Sequence, residues 1–158
     1  MEDIYFDQSL DNEQISNTLS ETFPALTVFY WDFNNDMPEE LDFDNTHHIF
    51  FNTGDGFGCE EFNFKISVYR TPDANHKERE FYLGKIFSDK YKIRTLIPFT
   101  KPDEPGDPYY DIVFDDGKIY LADDSEVGLK DEPGTIRILE EYDLNVFDFN
   151  ERAALIKN

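Results

Sequence analysis

Positive charge, cysteine and long apolar runs are all scarce in this chain, and each shortage excludes something. Its 158 residues hold 14 Lys and Arg against 35 Asp and Glu, a formal charge of -21. A surface so poor in cations repels DNA, RNA phosphates and anionic lipid. The single cysteine, Cys59, cannot form an internal disulfide, which points to a reducing cytoplasmic setting. No apolar stretch approaches the ~20 residues of a membrane span. The opening residues, Met1 to Asp7, lack the basic start and apolar stretch of a secretory signal.

Aromatic residues are plentiful. Sixteen Phe, 9 Tyr and 1 Trp supply the apolar area that a chain of this charge needs to escape disorder. The length fits one domain over residues 1–158. The charge is unevenly placed. Residues 1–75 carry 16 acids and 2 bases, residues 76–98 carry 3 and 6, and residues 99–158 carry 16 and 6. A uniformly acidic, salt-adapted surface would not leave a basic middle. Solvated loops that merely keep the protein soluble are one reading of the acidic blocks. The other is an electrostatic interface for a basic partner.

Along the chain, Asp11 and Gln14 form a capping-box pattern ahead of Ile15, Leu19 and Phe23, which share one helical face closed by Pro24. Leu26 to Phe33 is apolar on both faces and reads as a central strand, with Phe29 and Phe33 in the core. Asn34 to Asn45 reads as an acidic loop. Strands follow near His48–Asn52 and Phe62–Arg70, joined by a glycine-rich turn. A helix over Ala74 to Lys90 buries Leu83, Ile86 and Phe87, and Gly84 inside it marks close packing. Ile93 to Pro98 is a short strand, and Pro102 to Pro108 a turn-rich connection. Asp116-Gly117 between alternating segments specifies a hairpin. Thr135 to Tyr142 is a further strand, and Phe149 to Ile156 reads as a terminal helix capped by Asn150. The sum is a single α+β domain with a largely antiparallel sheet and two to three helices.

Catalytic signatures are weak. His47 and His48 are neighbours and point to opposite faces of a strand, and neither they, His76 nor Cys59 match a zinc spacing. Gly54 to Gly58 is not a phosphate-binding loop. Asp115, Asp116, Asp123, Asp124 and Glu126 have the composition of calcium ligands without the order of an EF-hand. The expectation is no enzyme, no metal and no cofactor. A calcium- or metal-dependent enzyme is the third reading, behind two binding functions.

Residues 78–126 carry a resemblance. The helix Glu80 to Ser88, the strand Ile93 to Pro98 and the hairpin Pro108 to Asp124, in that order, are similar to small acidic immunity proteins of bacterial polymorphic and contact-dependent toxin systems. The resemblance implies a cytoplasmic protein that binds a cognate basic toxin, often a nuclease, and blocks it by steric and electrostatic occlusion. Asp32, Asp36, Glu39, Glu40, Asp42 and Asp44, with Asp115, Asp116, Asp123 and Asp124, are then the partner-binding carboxylates. Tyr109 and Tyr110 are the anchors. The alternative is a DNA-mimic inhibitor of a nucleic-acid-binding protein.

Overall fold

Asp11 starts the first helix as its sequence requires. Its carboxylate accepts from the Gln14 N–H at 2.7 Å, while the Gln14 side chain accepts from the Asp11 N–H at 3.0 Å. Helix α1 (Asn12–Thr22) follows and buries Ile15 and Leu19, with Phe23 buried just beyond its end. The computed structural model describes residues 1–127 and 135–156. In it, β1 (Glu2–Phe6) precedes α1, and β2 (Thr27–Tyr30), β3 (His48–Asp55) and β4 (Phe64–Arg70) follow. Helix α2 (His76–Tyr91) leads to β5 (Thr95–Pro98), β6 (Tyr110–Asp115), β7 (Lys118–Asp123) and β8 (Arg137–Glu141).

These strands form one sheet in the order β2-β3-β4-β1-β5-β6-β7-β8. Only the β2–β3 pairing is parallel; the others are antiparallel. The fold is therefore the expected α+β class with a largely antiparallel sheet and, among the described residues, two α-helices. The hairpin forms where Asp116-Gly117 places it, with both residues at positive φ, 51° and 77°.

Both helices pack on one face of the sheet. Alternation sends Ile4, Phe6, Ile49, Phe51, Ile66, Val68, Ile112 and Phe114 toward them. Gly84 lets α2 approach: a Cβ there would sit 3.0 Å from Ile97 Cδ1. The opposite face is dressed unevenly. Over β5 to β7 a second cluster of Cys59, Phe62, Leu96, Val113, Ala122 and Ile136 is roofed by the short 3-10 turn Glu60–Phe62. Over β2 to β4 no helix among the described residues covers it.

Gly56 holds that roof in place. Its N–H bonds to the Asn63 carbonyl and Phe57 N–H to that of Phe62. A Cβ on Gly56 would lie 1.9 Å from the Phe62 oxygen, so no side chain fits without opening the turn. Gly56→Ala is expected to lower stability by about 1–3 kcal/mol, measured by urea unfolding, whereas Gly106→Ala, with open space around it, leaves the midpoint in place.

Four sequence expectations are corrected. The segment after Leu26 forms β2 at the sheet's edge rather than at its centre, because it hydrogen-bonds only to β3. Phe33 lies beyond that strand and is 51% exposed, and Phe29 is only half-buried. Ile86 is half-buried as well, since the buried face of α2 runs through Leu83, Phe87 and Ser88. Residues 149–156 are not a helix. Phe149 bridges to Leu155, and Ala153 sits at φ 58°. Asn150 does cap, accepting from the N–H groups of Arg152 and Ala154, but it closes a turn. The Ala153 carbonyl, which a helix would direct along its own axis, is taken by Arg70 and Arg79.

Candidate functional site

The first 64 residues contain no Lys or Arg. The acidic loop between β2 and β3 thus has no cation in its own part of the chain, and the one the fold brings beside it, Arg70, donates to the Thr46 carbonyl rather than to a loop carboxylate. Among the described residues, none of Asp32, Asp36, Glu39, Glu40, Asp42 and Asp44 has an ion-pair partner. Elsewhere Glu2, Asp7, Glu21, Asp73, Glu80, Asp89, Glu104 and Glu141 are all paired with cations. The loop's charge is unspent.

The loop is nevertheless shaped. Leu41 is buried beneath it. Asp32 accepts from the Asn34 backbone N–H at 3.0 Å and the Asn35 amide at 3.2 Å, and the Asp42 carboxylate accepts from the Asp44 N–H at 2.9 Å. The Asp42 N–H in turn donates to His48 Nδ1 at 3.1 Å, tying the loop to the first residue of β3. Asp36, Glu39, Glu40, Asp42 and Asp44 face solvent, and Asp32 is half-buried.

What the loop packs on is aromatic. Phe50 and Tyr69 are register partners on β3 and β4, and their rings stack at 4.7 Å with planes 9° apart. Phe43 reaches Phe50 from the loop at 5.5 Å. Trp31 meets Phe50 at 5.8 Å and Phe33 edge-on at 4.5 Å, and Phe33 closes the group on Tyr69 at 5.8 Å. Trp31 Nε1 donates to the Asn35 carbonyl, fixing its ring. Phe33 and Phe43 remain about half exposed, at 51% and 47%. Apolar surface of this kind, beside exposed carboxylates, is the sort that marks interaction sites on soluble proteins. The cluster lies on the helix-free face, because Phe29 and Phe50 share a register position and Trp31 and Phe33 continue the same alternation.

The remaining sequence candidates lie elsewhere. Strands β2 and β6 are five positions apart in the sheet, roughly 24 Å at the usual spacing. Within the hairpin, Asp115 and Asp116 sit at the tip while Asp123 and Asp124 sit at the other end. Tyr109 is exposed, but Tyr110 is committed internally: its hydroxyl donates to Glu104 at 2.7 Å beside Lys101. Asp123 accepts from the N–H and hydroxyl of Ser125. The twelve candidates therefore divide into six carboxylates of one loop and six residues spread along a distant hairpin. Phe43, Phe50 and Tyr69 were not singled out by sequence as anchors; their pairing across β3, β4 and the loop is a tertiary fact.

Asp124 has a second neighbour of consequence. Asp111 is fully buried on β6, and neither of its side-chain oxygens has a hydrogen-bond partner among the described residues. Burial, and then the carboxyl of Asp124 beside it, holds its pKa far above the ordinary carboxylate range. The folded chain thus keeps a proton on this pair that the unfolded chain releases. A raised carboxyl pKa gives stability that is full below the unfolded value and lost as pH rises through the folded one. Asp111→Asn is expected to raise the melting temperature at pH 8, with the gain shrinking toward pH 4. A thermal melt series checks it, and a gain that grows in acid contradicts the assignment.

Cys59 is buried, and burial pushes its thiol pKa up, away from the range of an activated nucleophile. Among the described residues, no group of three or more His, Cys, Asp and Glu stands close enough to hold a metal ion, and no helix is long and apolar enough to cross a membrane. No family model, curated protein or solved structure matches the chain.

Proposed function

We propose that the chain is an acidic binding protein that captures a basic protein partner and neutralises it by occlusion, in the manner of a bacterial immunity protein facing a cognate toxin in the cytoplasm. One observation carries the reading: a partly exposed aromatic cluster, Trp31, Phe33, Phe43, Phe50 and Tyr69, shares its surface with the acidic 32–44 loop, whose six carboxylates have no ion pair among the described residues. Unpaired rim charge accelerates encounter with a cationic partner, and desolvated aromatic anchors slow its departure. An inhibitor must do both.

The aromatic centre also separates this reading from a DNA mimic. A phosphate-like surface needs unbroken rows of carboxylates along a groove, whereas here exposed rings interrupt them: Phe33 follows Asp32, and Phe43 stands between Asp42 and Asp44. The experiment is a growth assay with the partner that co-purifies from the native cells. That partner expressed alone is expected to arrest growth, and co-expression of this chain to restore it. Reversing Asp36, Glu39, Glu40 and Asp42 together to lysine should abolish rescue and lower the association rate, with the loss fading at high salt. Full rescue by the reversed chain contradicts the proposal.

A further inference from the structure

We infer that the cleft beside Phe43 and the Phe50–Tyr69 stack seats an arginine side chain of the partner, an inference that rests on the reading of this face as a capture site. The cleft has a volume of about 210 Å³, on the scale of one long side chain. Leu41, Phe43, Phe50 and Tyr69 give it apolar walls, and Asp42 stands at its edge without an ion-pair partner among the described residues. An apolar knob would fill the walls but strip water from that carboxylate with nothing in return, which is costly. A lysine would neutralise the carboxylate, yet its compact ammonium is strongly hydrated and must shed that water against aromatic rings. A guanidinium is planar and weakly hydrated; it stacks on a ring face and offers paired N–H donors to a carboxylate at its edge. Walls and edge together therefore select arginine.

Arg70 also borders the cleft, but its terminal nitrogens are held by the carbonyls of Thr46, Arg152 and Ala153. Those three carbonyl dipoles partly offset its charge. They also fix it at the β4 end, so it does not swing across the rings. His48, which also lines the cleft, uses Nδ1 to accept from the Asp42 N–H, tying the loop to β3.

Trp31 is the only tryptophan and touches Phe50, so its fluorescence reports on the site directly. The test titrates the intact protein with two synthetic decapeptides of alternating arginine and serine or alternating lysine and serine, at low and moderate salt. The arginine peptide is expected to bind about fivefold tighter, a ratio in keeping with one desolvated cation–π contact, and to change Trp31 emission. Phe50→Leu and Tyr69→Leu, which keep apolar volume, should each bring the ratio toward one while leaving salt-dependent binding of both peptides. Asp42→Asn should weaken the arginine peptide more than the lysine peptide. Equal affinities in the parent protein, or a preference that survives both ring substitutions, overturns the arginine assignment and leaves the basic-partner reading standing. Binding of neither peptide at low salt overturns both.

Discussion

Replacing Arg79 with methionine is expected to cost about 3–5 kcal/mol at pH 8, the largest stability loss of any single substitution proposed for this chain. Arg79 projects from α2 and is 1% exposed, yet it is a cation at the centre of the molecule. Its Nε donates to the Glu2 carboxylate on β1, its Nη1 to the carbonyls of Ala74 and Ala153, and its guanidinium lies 5.7 Å from the centre of the Phe149 ring. It ties helix, first strand and terminal turn together. Glu2 is fully buried, and burial raises its pKa to about 7 against the opposing pull of Arg79. Without the arginine, a carboxylate would remain inside with only the N-terminal ammonium to oppose it, a cation already paired with Asp73, which is why breaking a buried pair costs more than the pair is worth.

The pH dependence follows from the sign of that shift. Below about pH 4.5, Glu2 is protonated in both folded and unfolded chains, and its contribution to stability is fully present. That contribution is lost as pH rises through 7. Removal of Arg79 widens the gap, so the penalty should shrink in acid and grow at pH 8. Urea midpoints at pH 5 and pH 8 measure this. The double variant Glu2→Gln with Arg79→Met should recover part of the loss; a double variant no better than Arg79→Met alone would show that the cost comes from the turn, not from Glu2.

The second large effect concerns binding. Trp31→Ala or Phe50→Ala should raise the dissociation rate of the captured partner by the equivalent of about 2–4 kcal/mol, with little change in association. Each ring touches three or more aromatic neighbours, so truncation removes its own contact and loosens the rest. Tyr110→Ala should change the dissociation rate far less, because its hydroxyl is engaged with Glu104 at a distant part of the sheet. Surface capture kinetics on matched variants separates the two. A larger effect from Tyr110 would move the interface to the hairpin.

Local signals in the sequence hold where the physics is local. The Asp11–Gln14 capping box and the Asp116-Gly117 turn depend on a few neighbouring residues, and both form as expected. Leu26 to Phe33 misled because apolar residues on both sides of a strand usually mean burial on both sides. Here Leu26 and Val28 face the helices, while Trp31 and Phe33 pack with Phe50 and Phe43 on the other side. Burial and binding call for the same residues, and only the sheet order tells them apart. The terminal segment failed for another reason: Asn150 caps as a helix start would, but two arginines from β4 and α2 claim the carbonyls beyond it. Of the site, the acidic loop was legible as composition. Its aromatic centre was not, since Phe43, Phe50 and Tyr69 come from a loop and two strands that meet only in the fold.

Recovery of the native partner tests the central claim most directly. Tagged parent protein, the Trp31→Ala/Phe50→Ala variant and the Tyr109→Ala variant are expressed in the native cells, washed at moderate salt, and the bound proteins identified by mass spectrometry. The account predicts one stoichiometric basic protein on the parent and on Tyr109→Ala, and its loss from the Trp31→Ala/Phe50→Ala variant. Retention of the same protein by that variant, or recovery of an acidic partner, would contradict it.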